Sequence, residues 1–279
     1  MKYTLKDPAG QRYETYAYTG GKPFDADKPT LIFIHGVLND HSVWILQTRY
    51  LANHGFNVLA VDLPGHGRSA GEAPASVEAA ADFIEALMDA AGLQQAALIG
   101  HSWGSLIALE SAARLKGRIT HAALVGTAFP MKVSPALIDA SLHEPMKALQ
   151  MVNVFSRATL AAPPSALGPG TWVYGASMAL GKRVLASNTQ VNIFHRGFVA
   201  CDSYQSGLAA MAEVTCPVLF VLGALDQMTP ARAAESLIEQ ARTSGKTFEV
   251  VSVPMGHHQM SESPEETLNA LKAFFKVKA

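Results

Sequence analysis

The 279-residue chain has 22 basic and 23 acidic side chains, a formal net charge of −1, so no basic field recruits nucleic acid and no acidic run implies a disordered tail. Charged residues are 16% of the chain, against about 25% in ordinary globular domains, and hydrophobic residues are 49%. At this length the pattern fits one buried α/β core with an inserted subdomain better than two separate domains.

Taken in order, residues 1–18 alternate polar and apolar around Asp7-Pro8-Ala9-Gly10, which predicts an antiparallel hairpin. The opening MKYTLKDPAG has no apolar segment, so no leader and a cytoplasmic location are expected. Residues 31–34 (LIFI) and 56–61 (FNVLAV) read as strands buried on both faces, with a helical stretch between them that Gly55 would close. Asp62-Leu63-Pro64-Gly65-His66-Gly67-Arg68-Ser69 follows as a compact loop, then a helix over 76–91 with Ser76 as its cap.

Residues 96–114 (AALIGHSWGSLIALESAAR) run from a short strand through Gly100-His101-Ser102-Trp103-Gly104 into an alanine-rich helix. Gly-x-Ser-x-Gly has mechanical meaning in that context, because the sharp turn pushes the serine hydroxyl clear of its neighbours. A further strand is expected over 119–125. From about 127 to 208 the buried-strand pattern stops and only helical pieces remain, broken by prolines and glycines. Residues 158–181 carry no charge, but Pro163, Pro164 and Pro169 would break a membrane-spanning helix, so an apolar lid is expected there and no stable membrane insertion. Strands resume at 218–222 and 247–253, separated by a helix near 231–242 and followed by a last helix over 264–275. Alternation of this kind predicts a mainly parallel sheet flanked by helices, a core of residues 1–126 and 209–279 with a helical cap of 127–208 inserted in it.

A serine hydroxyl needs a base to become a nucleophile, and a histidine base needs a carboxylate to orient it. In a parallel sheet these groups belong beyond the carboxyl ends of the strands. Asp226 lies just past the strand VLFVLG, and His257-His258 just past the last strand. The order Ser102, Asp226, histidine is the one expected for this arrangement. Gly256 lets the backbone turn just before His257, which is therefore assigned as the base, with His258 as a wall of the pocket. The backbone N–H groups of Val37 and Trp103 are the expected oxyanion donors. His35, His66 and His101 read as structural. Cys201 and Cys216 make no disulfide framework, and no histidines group at metal-ligand spacing, so neither metal nor cofactor is expected.

The chain resembles the α/β-hydrolase superfamily in FIHG (33–36), DLPGHGRS (62–69), GHSWGS (100–105), LGALDQMTP (222–230) and PMGHHQMSESPEE (254–266). The resemblance implies the α/β-hydrolase fold and cofactor-free hydrolysis of an ester or similar acyl bond through an acyl-enzyme on Ser102. Its Gly-His-x-x-x-x-Glu-x-Pro-Glu pattern also points to His257. Ser102 in place of an aspartate argues against the dehalogenase and epoxide-hydrolase branches. Ser105 stands where a second glycine is common. Carbon–carbon bond or thioester hydrolysis, and a ligand receptor of the same fold, are the alternatives. A small apolar ester or acyl compound is the expected partner. Phe129, Met131, Met146 and Trp172, with His258, are the expected pocket wall. Removing the cap is expected to leave the sheet able to fold and Ser102 still reactive.

Overall fold

The computed structural model describes residues 1–7, 9–158 and 173–277. Strands β1 (Lys2–Lys6) and β2 (Arg12–Tyr18) form the antiparallel hairpin. The other strands are β3 (Thr30–Ile34), β4 (Asn57–Val61), β5 (Ala96–His101), β6 (Ile119–Val125), β7 (Val218–Gly223) and β8 (Phe248–Val253). They make one eight-stranded sheet in the order β1-β2-β4-β3-β5-β6-β7-β8, parallel from β4 to β8.

The period of two along these strands explains the layers. Ile32, Ile34, Leu98, Leu124 and Phe220 point into one hydrophobic cluster, and Leu31, Phe33, Ile99, Val125 and Val221 into another. The first cluster is closed by α2 (Val77–Ala90), α3 (Trp103–Leu115) and α9 (Glu235–Thr243). The second is closed by α1 (Ile45–Asn53) and α11 (Pro264–Phe274). With both faces covered, β3 to β7 bury their apolar side chains, each large one contributing roughly 1.5–3 kcal/mol, while the edge strand β8 leaves Val250 exposed. Ser76 caps α2 by accepting the Ala79 N–H, as its position in the sequence predicts.

Between β6 and β7 the chain is helical where it is described: α4 (Pro135–His143), α5 (Pro145–Phe155), α6 (Val173–Ala186), α7 (Ile193–Ser203) and α8 (Gly207–Glu213). Helices α4 to α7 share a small hydrophobic cluster of their own around Leu137, Leu149, Val184 and Phe194. Position 208, the expected end of the insert, falls inside α8, which packs on α3 and α9 of the core. Ala200, Cys201 and Tyr204 at the end of α7 also sit in the main core cluster.

The insert is fastened to the rim of the sheet by polar contacts. Arg183 of α6 pairs with the buried Asp40 at 2.7 Å, and Ser187 accepts the Gly67 N–H at 2.9 Å. Arg196 of α7 donates to the Ala73 carbonyl at 2.7 Å. At the other rim, the Ser156 carbonyl accepts the His257 N–H at 2.7 Å, and the Ala158 N–H donates to Glu262 at 3.0 Å. Most of the charge-free stretch, with Trp172, lies outside the described residues. Among the described residues no helix is long and apolar enough to cross a membrane.

Candidate active site

Because β3 and β5 to β8 are parallel, their carboxyl ends share one edge of the sheet, and every candidate group follows one of those ends. Ser102 follows β5 directly. Its backbone has φ 54 and ψ −120, a left-handed conformation that costs a non-glycine residue on the order of 1–3 kcal/mol. Two close approaches impose the turn. A Cβ on Gly100 would lie 1.9 Å from the Gly104 carbonyl oxygen, and one on Gly104 would lie 2.4 Å from the Ile34 carbonyl oxygen. The Ser102 N–H donates to the Val125 carbonyl at 2.9 Å, and Ser105 donates its hydroxyl to the Ser102 carbonyl at 2.5 Å. The Ser105 hydroxyl also reaches Thr127, so a serine here braces the turn that a second glycine would leave bare.

Asp226 and His257 meet across the ends of β7 and β8. Asp226 Oδ2 lies 2.8 Å from His257 Nδ1, in a pair whose side chains are almost wholly buried. Burial alone would raise the carboxyl pKa. The charge of His257 and the hydrogen bonds from His257 and Thr229 outweigh it and hold Asp226 below the usual carboxylate range. Asp226 Oδ1 accepts the N–H groups of Met228 and Thr229, both at 2.8 Å, so the aspartate caps its own loop as well as meeting the histidine. With Nδ1 engaged, Nε2 is the ring nitrogen left to exchange a proton. His258 is half-buried and lines the same cavity as Ser102 and His257, but Asp226 reaches only His257.

Two residues that no sequence motif singles out complete this pair. The Thr229 hydroxyl lies 2.8 Å from Asp226 Oδ2, 3.0 Å from His257 Nδ1 and 3.0 Å from the Gly126 carbonyl. The fully buried Gln259 donates to Asp226 Oδ2 at 3.4 Å. The signal for Thr229 was its spacing from Asp226, which reads equally as a helix cap.

The supporting histidines are buried and neutral. His101 donates through Nε2 to the His257 carbonyl at 2.7 Å, and burial, helped by the neighbouring His257 charge, pushes its pKa to about 3. His35 accepts the Leu63 N–H at 3.1 Å through Nε2. His66 donates to the Pro64 carbonyl at 2.9 Å, its pKa lowered to about 3 by burial and by His35. Both cysteines are buried free thiols; burial raises both pKa values, that of Cys216 to about 11.

Ser102 and His257 open onto two cavities. The larger, about 330 Å³, is walled by Leu149, Leu180, Phe194 and Met260, with Arg157 and His258 on its surface. The smaller, about 300 Å³, is walled by Met131, Val133, Leu137 and Phe155. Val37, Phe198 and Met228 belong to both, as do Ser102 and His257. Among the described residues, no protein group accepts the backbone N–H of Val37 or of Trp103. A Cβ on Gly36 would stand 3.1 Å from Ser102 Cβ, which shows how near that loop comes to the serine.

The structure revises part of the expected pocket wall. Met131 lines the smaller cavity, but Met146 lies on the surface at 38% exposure and borders neither. Phe129 packs edge-on against Tyr204 and beneath Gly207, because it belongs to the insert's root on the core and not to its underside. Asp40, His41 and Asp62 are close enough to share a cation, but their atoms are already engaged: His41 donates to Asp62, and Ser42 and Arg183 donate to Asp40.

A family model described as the alpha/beta hydrolase fold matches residues 29–171. The chain belongs to the alpha/beta hydrolase fold family. A non-heme chloroperoxidase of Streptomyces lividans is 29% identical over 268 residues, covering 88% of this chain and 91% of that protein. The acetyltransferase component of an acetoin cleaving system from Cupriavidus necator is 35% identical over 124 residues, 44% of this chain. The match spans only 31% of that relative's length, and one to an epoxide hydrolase of Caballeronia sordidicola spans 26%. Among solved structures, an esterase from Exiguobacterium antarcticum superposes with a TM-score of 0.79 at 19% identity, covering 99% of this alpha/beta hydrolase and all of that chain.

Proposed function

We propose that this alpha/beta hydrolase cleaves a carboxylic ester through an acyl-enzyme on Ser102. The observation that carries the reading is the buried Asp226–His257 pair, joined at 2.8 Å, at the mouth of the same cavity as a serine held in a strained turn. Ser102 Oγ attacks the ester carbonyl while His257 Nε2 takes its proton. Asp226 keeps Nδ1 protonated and stabilises the imidazolium. The unpartnered N–H groups of Val37 and Trp103, the second at the positive end of α3, receive the developing oxyanion. His257 then returns the proton to the departing alcohol. Water, deprotonated by the same ring, releases the acid and restores Ser102. Two cavities sharing Ser102 suit a substrate with two parts, one on each side of the bond that breaks. The esterase among the structural neighbours is consistent with this chemistry. A fluorophosphonate should add once to the wild type and not to Ser102→Ala by intact mass, and only the wild type should turn over 4-nitrophenyl esters. Equal labelling of the two proteins removes Ser102 as nucleophile.

A further inference from the structure

Arg157 is the charged residue that the proposed reaction leaves without a task. It lies just past α5, at 7% exposure, on the wall of the larger cavity. Its backbone is fixed from both sides to the loop that carries His257: the Ser156 carbonyl accepts the His257 N–H, and the Ala158 N–H donates to Glu262. The guanidinium donates through Nη2 to Ser177, yet Nε and Nη1 are buried and have no partner among the described residues. One hydrogen on Nε and two on Nη1 are therefore unused, three of an arginine's five donors.

A buried cation with unmet donors is expensive, and structures normally answer it with a carboxylate. Here that answer is incomplete. Glu262 supplies the nearest opposing charge, but its oxygens accept the N–H groups of Ala158 and His258. Among the described residues no carboxylate oxygen comes within 4 Å of the guanidinium. His258, the other titratable neighbour, is kept neutral by burial and by the charge of Arg157 itself. The rest of the wall is mainly aliphatic and aromatic; beside the serine and histidines of the site its polar side chains are the uncharged Asn39, Ser42, Asn153, Ser177 and Ser261, and among the described residues it carries no carboxylate.

We propose that the ligand of the larger cavity carries a carboxylate, bound by Arg157. Joined to the ester reading, on which the substrate class rests, this makes the substrate a carboxylated ester with an apolar body. The apolar wall takes the body, and the guanidinium fork matches the planar oxyanion.

Matched probes test it. 4-Nitrophenyl hydrogen adipate against 4-nitrophenyl hexanoate places the carboxylate on the acyl side. 4-(Butanoyloxy)benzoate against its methyl ester places it on the alcohol side. Binding to Ser102→Ala is measured by calorimetry, so the readout does not need turnover. In at least one pair the anionic member should bind roughly tenfold or more tightly, the scale of a charge-assisted hydrogen bond. Adding Arg157→Gln should abolish that preference, and Arg157→Lys should keep part of it. Should the glutamine variant fail to fold by circular dichroism, a preference reduced by the lysine variant supports the proposal in its place. No anionic preference in either pair, or a preference that survives both variants, overturns the proposal. If binding depends on Arg157 while the wild type turns over no ester, the carboxylate site stands and the ester reading falls.

Discussion

At the scale of single residues, the site rests on hydrogen bonds that choose between near-equivalent neighbours. His257 and His258 are adjacent and both border the cavity, and only the first meets Asp226. Ser102, Asp226 and His257 could be picked out as candidates because each sits at a strand end in a short block, and the structure puts Asp226 against His257 and both Ser102 and His257 on one cavity. Thr229 and Gln259 were not legible, because their work depends on loops from β7 and β8 lying side by side. Arg157 left a faint mark as the last charge before the stretch 158–181, whose next charge is Lys182. Asp226→Asn should leave a folded protein whose kcat is lower by roughly 10³ to 10⁴, since the ring loses the charge that orients it. An enzyme that keeps most of its ester turnover after this change has its acid elsewhere. Thr229→Val removes one hydroxyl from the same pair. We expect kcat to fall about tenfold with KM little changed, and Thr229→Ser to recover most of it. A rise in KM alone would mean that Thr229 serves the binding wall and not the histidine.

At the scale of elements, the strands were legible because alternate residues feed opposite clusters and leave continuous apolar runs. The insert was legible only as a gap in that pattern. Its end was placed within α8 because a helix of GLAAMAE shows no charge contrast to say which body it packs on. Phe129 and Met146 were misplaced for a related reason, since aromatic and sulfur side chains serve roots, surfaces and pockets alike. One tight junction between elements is that of β3 with α3, where Gly104 faces the Ile34 carbonyl oxygen. Gly104→Ala should cost on the order of 3 kcal/mol in a urea unfolding curve, because the backbone on the other side cannot yield as a side chain can. Gly117→Ala, where an added Cβ meets nothing within 4 Å, should stay within about 0.5 kcal/mol. Similar midpoints for the two variants would refute the close-packing account of the turn.

At the scale of the whole molecule, buried neutral histidines make the fold sensitive to acid. His66 and His101 have pKa values of about 3 in the folded chain, against about 6.5 when unfolded. Between those values the unfolded state holds more protons, so stability is present above pH 6.5 and is lost as pH falls towards 3. Each such ring contributes a loss of about 1.4 kcal/mol per pH unit across that window. Asp226 adds to the trend at lower pH: its pKa is depressed, so its contribution is present above the unfolded carboxylate value and is lost as pH falls through the folded one. The melting temperature should therefore drop steadily from pH 7 to pH 4.5. His66→Asn, which removes one of these titrations, should flatten the profile. A wild-type Tm that is level over this range would contradict the burial of these rings as neutral groups. The sequence marked His66 and His101 as structural by their place beside the strand ends, but not the depth of burial that sets their titration.

The bond from the His257 N–H to the Ser156 carbonyl alters what kind of part the insert is. His257, the proposed base, hangs on one side from the sheet, through β8, and on the other from a segment that the sequence suggests could be removed. A lid that only chose substrates could be traded between relatives without touching the machinery beneath it. Here a transplanted insert would bring its own peptide to the place of Ser156 and, with it, its own setting for the histidine. Specificity and reactivity are then inherited together, and a designer who exchanges one has already retuned the other.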